Sequence, residues 1–299
     1  MNHAELRAFV TVAKEGNLTR AAERLCITQP ALSLQLKKLQ QSIATPLFER
    51  HPRGMHLTQA GRQLLPAAER VLTAMSEFRA SAASLNGRVL GNLRLGTILD
   101  PEFLRLGACL RLLAERHPAV TFTLRHGMSG AVAADVDAGN LDVAFALGPP
   151  GMADLGEQFK VLTLTGFVYR VIAPPNWGGQ VRGKTWRELA RLPWIGTPPE
   201  SVHHRLLARV AAAEGVEFNV VAQVDLEPSM MDLVKSGVAL ALARDSQALR
   251  AAHADGIVIA DAVDLPAELG VICRKERYLE QTVAAAMEII AEVWNSDGH

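Results

Sequence analysis

Residues 29–42 constrain the fold of this chain more than any other stretch, because they predict an amphipathic helix with a sharply defined start. Apolar residues recur at steps of four, three and four, which places them on one helical face: Leu32, Leu36, Leu39 and Ile43. Thr28 is a candidate N-cap, and Pro30 lies in the first turn, where its missing N–H costs little. The helix therefore begins where Gln29, Pro30 and Ser33 would protrude together.

The residues before this helix predict a second, shorter helix. Residues 18–25 have the helical pattern, with Asn17 or Thr19 as the N-cap and with Ala21 and Ala22 small enough for close helix packing. A three-residue turn separates the two helices. This arrangement, with a polar outer face, fits the geometry that inserts a second helix into the major groove of DNA. The alternative is a helical hairpin whose basic face only meets water.

The charge of the chain is unevenly distributed. Residues 1–90 contain twelve lysines and arginines against six glutamates and no aspartate, a net charge of +6, whereas the whole chain of 299 residues is neutral. The remaining residues therefore carry −6. A basic front and an acidic back indicate that the front meets a polyanion.

A hairpin is predicted after the second helix of the motif. Residues 47–48 and 55–57 favour two short strands, and residues 51–54 favour the turn between them. The hairpin would be a wing with Arg50 and Arg53 at its tip. A guanidinium there can reach phosphates or a narrow minor groove.

A long helix follows the wing. Its apolar residues repeat at alternating steps of four and three, the heptad pattern of a coiled coil: Leu64, Ala68, Val71, Met75, Phe78, Ala82 and Leu85. We expect this seam to pair with a second copy of the chain; the alternative is that the helix packs on its own domain. Pro66 is early enough to kink the helix without ending it. Gly87 and Gly91 mark the domain boundary.

From residue 92 the pattern changes to alternating strands and helices. The first elements follow a βαβαβ order, which predicts a parallel sheet with helices on both faces: strand 93–97, helix 102–116, strand 120–125, helix 131–138 and strand 143–147. Further strands are predicted at 158–164, 168–172, 194–197, 219–224, 239–243, 257–260 and 269–273. The last helix is predicted at 279–294. The back part therefore reads as two α/β lobes of about 100 residues each.

Five motifs together resemble those of LysR-type transcriptional regulators. They are Leu6-Arg-Ala-Phe9, Leu18-Thr-Arg-Ala-Ala-Glu-Arg-Leu25, Thr28-Gln-Pro-Ala-Leu-Ser33, Leu47-Phe-Glu-Arg50 and Leu57-Thr-Gln-Ala-Gly61. The motifs occur in order and at the family's spacing. The back part resembles the family by its order of elements and by Leu141-Asp-Val-Ala-Phe145.

The resemblance implies a fold and a domain organisation. We expect an N-terminal winged helix-turn-helix DNA-binding domain at 1–58, a linker helix for coiled-coil dimerisation at 59–90 and an α/β effector domain at 91–299. The effector domain would have two lobes and resemble type 2 periplasmic binding proteins. Lobe I would comprise about residues 91–163 and 266–299, and lobe II about residues 164–265.

The resemblance also implies a function. The chain would be a regulator and not an enzyme, with no cofactor. It would form a homodimer and then a homotetramer, bind double-stranded promoter or operator DNA, and respond to a small-molecule effector in the cleft between the lobes. The effector, the operator and the direction of regulation are left open.

The family's DNA contacts correspond to residues at the start of the recognition helix and in the wing: Thr28, Gln29, Pro30, Ser33, Leu34, Lys37, Lys38, Arg50 and Arg53. Gln29 can form two hydrogen bonds with an adenine edge, and the basic residues mainly supply salt-dependent affinity. Leu34 departs from the family, which often has a basic or polar residue there. It would either touch a thymine methyl group or pack at the dimer or domain edge. Gln40 stands where glutamate is frequent, and no role is inferred for it.

Ligands of open α/β sheets bind at the carboxyl ends of strands, beside helix N-termini. The resemblance places such ends around the inter-lobe cleft and implies these effector-binding residues: Thr97, Ile98, Leu99, Met128, Ser129, Leu147, Gly148, Thr197 and Pro198. The hydroxyl groups among them could instead cap helices. Asp100 is expected to begin the first helix of lobe I, where it would either disfavour a ligand carboxylate or simply cap the helix.

Three other features are interpreted as structural. The stretch Gly178-Gly-Gln-Val-Arg-Gly-Lys-Thr185 matches a phosphate-binding loop by letter, but no strand leads directly into it, so a polar surface loop is expected. His203 and His204 would point about 100° apart on a helix, which favours surface histidines over a metal site. The three cysteines share no metal-binding spacing and are expected to be small buried side chains: Cys26, Cys109 and Cys273.

The chain shows no signal peptide and no apolar run of about eighteen residues, so we expect a cytoplasmic protein without a membrane partner. This argues against a third class, an exported solute-binding protein, which the back part alone would allow. Salt-dependent DNA binding is expected only of the regulator.

Overall fold

The computed structural model describes residues 1–51, 54–84, 89–98 and 100–296, and at residues 50, 76–77 and 79–84 it describes the backbone alone. The chain divides into two compact units, Met1–Gly91 and Asn92–His299.

Three helices and a hairpin begin the first unit: α1 (His3–Glu15), α2 (Leu18–Leu25), α3 (Gln29–Ser42), β1 (Phe48–His51) and β2 (Gly54–Leu57). Polar caps start the first two helices. Asn2 forms a capping box with Glu5, and Asn17 accepts hydrogen bonds from two backbone N–H groups of α2. The apolar faces of the three helices, together with Leu47 and Phe48, form one buried core.

The first unit ends in the long helix α4 (Gln59–Ser84), which has 26 residues and a length of about 40 Å. Pro66 lies inside the helix without ending it. Gly61 lies where the helix passes the backbone of Leu47. A Cβ atom at Gly61 would be 2.2 Å from the Leu47 carbonyl oxygen, so this approach requires glycine.

The second unit alternates strands and helices. Its strands are β3 (Gly91–Thr97), β4 (Val120–His126), β5 (Val143–Gly148), β6 (Phe159–Ala173), β7 (Pro193–Gly196), β8 (Asn219–Gln223), β9 (Ala241–Arg244) and β10 (Val258–Arg274). Its helices are α5 (Leu106–Arg116), α6 (Ser129–Asp137), α7 (Gly178–Val181), α8 (Trp186–Leu189), α9 (Val202–Glu214), α10 (Glu227–Lys235), α11 (Asp245–Asp255) and α12 (Gln281–Asn295). Short 3₁₀ turns lie at Pro150–Met152, Pro175–Trp177 and Lys275–Arg277.

The main sheet has six strands in the order β4-β3-β5-β10-β6-β9. The strands β3 and β5 are parallel, as predicted, but β10 is antiparallel to both β5 and β6. The sheet is therefore mixed and not parallel throughout. A second sheet pairs β7 with β8, and a single bridge between Trp194 and Leu240 connects it to the segment before β9.

Four strands that the sequence predicts as separate form only two long strands in the structure. The predicted strands 158–164 and 168–172 lie in β6, and 257–260 and 269–273 lie in β10. Glycine, aspartate and proline residues lie between the predicted strands. Pairing of β6 with β10 nevertheless continues past them, with irregular register between Ile259 and Asp264.

The helix α5 begins four residues later than predicted, at Leu106. Residues 101–105 form turns, and Arg105 has a positive φ of 51°. Asp100 therefore does not begin the helix. It has a φ of 87°, and its Oδ1 accepts a hydrogen bond from the backbone N–H of Phe103 at 2.9 Å.

Among the described residues, no helix is both long enough and apolar enough to cross a membrane.

Candidate DNA-binding surface and ligand cavity

The start of α3 presents a polar face to solvent. Thr28 caps the helix as predicted, since its Oγ1 accepts a hydrogen bond from the backbone N–H of Ala31 at 3.4 Å. The predicted contact residues on this helix are all exposed: Thr28, Gln29, Pro30, Ser33, Leu34, Lys37 and Lys38. The opposite face is buried through Leu32, Leu36 and Leu39. The helix is thus held by one face while the other remains open to a partner.

The two lysines and the leucine of this face are exposed. Within the described part of the chain, lysine ion pairs involve Lys14, Lys184 and Lys235 and neither Lys37 nor Lys38. Leu34 is 53% exposed. These side chains therefore remain available for contacts with another molecule.

The wing is an antiparallel hairpin of two four-residue strands, β1 and β2. Phe48 pairs with Leu57, and Arg50 pairs with Met55. The backbone of Arg50 therefore lies in the wing, but its side chain is not described. Arg53 lies outside the described residues. The predicted arginine contacts at the wing stay predictions.

Gln40 connects α3 to the wing, a role that the sequence did not reveal. Its Oε1 accepts hydrogen bonds from the backbone N–H groups of Leu47 at 2.7 Å and Phe48 at 3.4 Å. The side chain therefore fixes the start of the wing relative to the recognition helix. A glutamate could accept the same hydrogen bonds, which accounts for either residue at this position.

The predicted seam of α4 is largely exposed at its larger residues. Leu64, Val71 and Phe78 are 41%, 42% and 75% exposed, whereas Ala68 is buried and Met75 is half-buried. Leu64, Ala68 and Val71 line an apolar groove of about 190 Å³, whose other residues include some from α1 and α3. The side chain of Ala82 is not described, and Leu85 lies outside the described residues.

The second unit contains a cavity of about 360 Å³ at the carboxyl ends of β3, β5 and β7. Five of the predicted effector residues line it: Ile98, Met128, Ser129, Leu147 and Thr197. The wall also includes His126 and Gly127, the start of α9 and the segment around Asp225–Glu227. A volume of this size suits a small organic ligand.

The other predicted effector residues have different positions. Thr97 is buried behind the wall, where its Oγ1 lies 2.5 Å from Nδ1 of His126. Gly148 and Pro198 are not among the residues that line the cavity. Leu99 lies outside the described residues.

His203 is buried in the cavity wall, so its interpretation as a surface residue was wrong, whereas His204 is exposed. The ring of His203 packs edge-on against Tyr169 at 4.7 Å, and Nε2 is 3.9 Å from Oε1 of Glu227. Burial, with a smaller contribution from the charge of Arg244, lowers the pKa of His203 to about 4. The imidazole is therefore neutral at physiological pH. Its spacing from buried residues of α9, three from Leu206 and seven from Val210, was a signal for its burial.

Glu227 faces the same cavity from the first turn of α10. Burial raises the pKa of its carboxyl group above the ordinary value, and Arg244 partly opposes this shift. Arg244 itself is buried, pairs with Asp100 and lies 3.9 Å from the ring centre of Phe103. The guanidinium therefore already has a carboxylate partner in Asp100.

Further polar contacts join the two sides of the cavity. Arg205 on α9 forms an ion pair with Asp154 and donates to the carbonyl oxygen of Leu147 at 2.8 Å. The backbone N–H of Gly130 donates to the carbonyl oxygen of Glu200 at 2.9 Å. A Cβ atom at Gly130 would be 2.9 Å from that oxygen, so the two backbones approach closely.

The loop that resembled a phosphate-binding motif makes contacts of its own. The backbone N–H of Gly183 donates to Asp261 at 2.6 Å, and Lys184 pairs with Glu188 at 2.9 Å. Thr185 also bonds to Glu188, and these contacts lower the pKa of that carboxyl group to about 2. The prediction of a loop was wrong for Gly178–Val181, which form α7, and the residues after them pair with Asp261 of β10 and Glu188 of α8.

The cysteines differ in burial. Cys109 and Cys273 are buried as predicted, and burial raises the pKa of each thiol to about 11. Cys26 is exposed, so the prediction of burial was wrong for it. It ends α2 in a left-handed conformation, with φ of 55°. Among the described residues, no group of three or more potential metal ligands is found.

Two family models match the sequence. The first, described as "Bacterial regulatory helix-turn-helix protein, lysR family", matches residues 3–62. The second, described as "LysR substrate binding domain", matches residues 86–295. Together they span both units.

Known regulators resemble the chain over nearly all or about half of its length. The HTH-type transcriptional regulator IlvR of Caulobacter vibrioides is 28% identical over 295 residues, which are 98% of each protein. The HTH-type transcriptional regulator ClcR of Pseudomonas putida is 37% identical over 147 residues, 48% of this chain and 49% of ClcR.

Solved structures share the fold. CbnR complexed with its target DNA has a TM-score of 0.65 at 22% identity, with 98% of this chain and 99% of CbnR covered. ArgP from Mycobacterium tuberculosis has a TM-score of 0.65 at 18% identity, with 100% and 98% covered.

Proposed function

The chain belongs to the LysR family of transcriptional regulators, and we propose that a small molecule in the cavity of its second unit changes how its first unit acts at a promoter. The predicted family is confirmed, as is the fold class of a winged helix-turn-helix followed by an α/β effector-type domain. The chain is a DNA-binding regulator and not an enzyme, since the relatives that it matches are regulators.

We assign the functions to segments. Residues 1–58 would bind DNA, 59–90 would dimerise and 91–299 would bind the effector. Lobe I would comprise about residues 91–163 and 266–299, with the rest of the domain in lobe II.

We propose that α3 is the recognition helix. The observation that supports this most strongly is its exposed polar row beside a buried apolar face, at the point where the helix-turn-helix family model matches. Gln29 and Ser33 would contact base edges, while Lys37 and Lys38 would contact phosphates. Leu34 would meet a thymine methyl group. Thr28, Pro30 and the wing arginines Arg50 and Arg53 complete the proposed surface.

The test begins with fragments of genomic DNA selected by the full-length protein. Binding of the best fragment is then measured by fluorescence anisotropy for the wild type, Gln29→Ala and a matched control, Gln63→Ala, on the exposed side of α4. Loss of a base contact at Gln29 costs roughly 1–3 kcal/mol, or about 5- to 150-fold in affinity. The control should bind like the wild type. Equal binding by Gln29→Ala would remove that residue from the base contacts.

We propose that the effector occupies the 360 Å³ cavity, next to Ile98, Met128, Ser129, Leu147 and Thr197. The support is the position of this cavity next to two polar contacts, one between Arg205 on α9 and the carbonyl oxygen of Leu147 and one between Gly130 on α6 and the carbonyl oxygen of Glu200. A ligand there would contact both sides and could shift the balance between arrangements of the unit. Thr97, Gly148 and Pro198 would then support the wall and not contact the ligand, while Leu99, outside the described residues, stays a predicted contact.

We propose that α4 pairs with a second copy of the chain, and that dimers assemble into a homotetramer. The support is the exposure of Leu64, Val71 and Phe78 at heptad spacing. We expect Phe78→Asp to lower the mass measured by light scattering, and Gln63→Asp, one residue off the seam, to leave it unchanged. A native mass for Phe78→Asp would reject the seam. As a regulator of promoters, the protein is expected to act in the cytoplasm.

A further inference from the structure

The cavity of the second unit carries carboxylates but no guanidinium or ammonium group of its own. Asp225 and Glu227 line it, and the residues that form its described wall include neither lysine nor arginine. Arg244 is paired with Asp100, and Arg205 with Asp154. A ligand with only an anionic group would therefore lie beside Glu227 without a cationic side chain to balance it.

Helix N-termini supply the opposite polarity. The first residues of α6 and α9 line the cavity at Ser129 and Val202, and the helices have 9 and 13 residues. Each helix N-terminus carries roughly half a positive charge. The third helix at the cavity, α10, begins with Glu227, whose negative carboxylate offsets the partial positive charge of that helix's own N-terminus. The cavity thus has a positive side at α6 and α9 and a negative side at Glu227.

Two buried polar atoms at the cavity lack a partner within the part of the chain that the structure describes. They are Oγ1 of Thr197, which is 9% exposed, and Nε2 of His203, which is 4% exposed. Buried polar groups are normally hydrogen-bonded, so unpaired atoms at a ligand cavity indicate that the ligand completes them. Thr197 follows β7 and precedes α9, and His203, in the first turn of α9, faces Glu227.

The separation of Nε2 and Oε1 indicates what His203 and Glu227 can hold together. The two atoms are 3.9 Å apart. One ammonium nitrogen can lie within hydrogen-bond distance of both and donate one N–H to each. The low pKa of His203 keeps its ring neutral, so Nε2 can accept when the ring proton is on Nδ1. The raised pKa of Glu227 indicates an under-compensated charge that an ammonium group would stabilise.

Apart from His126 and Ser201, the rest of the wall is apolar, through Ile98, Leu147, Val202, Val224 and Met230. We infer that the effector is a small apolar α-amino acid bound as its zwitterion. Its carboxylate lies at the first turn of α6 and accepts from Thr197, its ammonium group donates to Glu227 and His203, and its side chain packs on the apolar wall. This inference rests on the proposed function of the cavity and names the class of its ligand.

Matched ligands test the inference on the full-length protein. The probes are valine, leucine, methionine and phenylalanine. For leucine, 4-methylpentanoate lacks the amine and 3-methylbutylamine lacks the carboxylate, and the corresponding analogues serve for the other three. A bound ligand raises the thermal unfolding midpoint in a concentration-dependent way. We expect at least one amino acid to raise it and both of its analogues to leave it unchanged at the same concentration. A shift by either analogue as large as that of the amino acid, or no shift by any amino acid, would overturn the inference.

Variants locate the binding. Glu227→Gln should weaken the affinity of the amino acid at least tenfold, and Thr197→Val should weaken it about two- to tenfold. Glu217→Gln, an exposed glutamate in the same unit, should leave it unchanged. Unchanged affinity in both cavity variants would overturn the inference even where an amino acid binds.

Operator binding is measured on the same samples. A protein that binds DNA but none of the amino acids or analogues contradicts the ligand class alone. A protein that selects no DNA fragment contradicts the proposed function itself.

Discussion

The two units of this regulator place their functional side chains in opposite surroundings. In the first unit, the proposed DNA contacts on α3 are exposed, and the buried leucines behind them hold the helix. In the second unit, Thr197 and His203 are buried, Oγ1 of the first and Nε2 of the second lack a hydrogen-bond partner among the described residues, and burial raises the pKa of Glu227. Contact residues of the first unit can therefore change with little effect on folding, whereas those of the second are coupled to its stability.

The distribution of tryptophan allows each unit to be observed separately. All four tryptophans lie in the second unit, at Trp177, Trp186, Trp194 and Trp294. Tryptophan fluorescence therefore reports the unfolding of the second unit, while far-UV circular dichroism also reports the helices of the first.

The largest expected effect concerns the packing beneath the DNA-binding surface. Gly61→Ala places a Cβ atom against the backbone of Leu47, so the first unit should lose about 3 kcal/mol or more. Urea unfolding should show an earlier circular dichroism transition with an unchanged fluorescence transition. Gly107→Ala is the control, because a Cβ there meets open space on an exposed position of α5. If Gly61→Ala also shifted the fluorescence transition, the two units would not unfold independently.

A similar effect is expected from pH in the second unit. With a folded pKa of about 4 against an ordinary value of 6.5, His203 binds a proton more readily in the unfolded chain. Its contribution, about 3 kcal/mol, is present above pH 6.5 and is lost as the pH falls towards 4.

His203→Phe should remove this acid sensitivity from the fluorescence transition while keeping a ring against Tyr169. Glu227 acts in the opposite direction, since its raised pKa means that acid relieves its buried charge. The difference between the pH profiles of the variant and the wild type therefore gives the contribution of His203 alone. That contribution includes the effect of the nearby charge of Arg244 on the pKa of the ring. Identical pH profiles for the two proteins would mean that the ring is not held neutral by burial.

A smaller effect is expected at the connection between α3 and the wing. Gln40→Ala leaves the N–H groups of Leu47 and Phe48 without their acceptor, at a cost of about 1–2 kcal/mol to the first unit. Gln40→Glu retains an acceptor and should stay close to the wild type. The exposed Gln41 provides the control, Gln41→Ala. Equal stability of all four proteins in the circular dichroism transition would mean that Gln40 does not fix the wing.

The smallest effect on stability is expected at Gln29. Because the side chain is exposed, Gln29→Ala should change the unfolding free energy by less than about 0.5 kcal/mol while weakening DNA binding. Both unfolding transitions should overlay those of the wild type. A clear loss of stability would show that Gln29 contributes to the packing of the first unit and is not only a DNA contact.

The same contrast explains what the sequence could reveal. In the first unit the cap at Thr28, the buried stripe of α3 and the exposed row are set by neighbours within a few residues, so the local pattern predicts them. In the second unit the pairings of β6 with β10 join residues far apart in the chain, and they continue, with shifts in register, across the gaps between the predicted strands.

The cavity shows the same limit. The strand ends predicted five of its residues, since parallel strands end at a common edge. The sequence missed Glu227 and misplaced His203, because their proximity depends on how α9 and α10 meet, which no local pattern reports. The pairing of Arg244 with Asp100 spans 144 residues and was equally hidden.

The most direct test of the central claim is the salt dependence of operator binding. The measurement compares the wild type, a variant with Lys37→Ala and Lys38→Ala together, and the control Lys275→Ala in the second unit, each by fluorescence anisotropy over a range of salt concentrations. If both lysines contact phosphates, the slope of log K against log salt falls by about 2 in the double variant and stays unchanged in the control. A slope equal to that of the wild type in the double variant would contradict the assignment of this face of α3 to DNA.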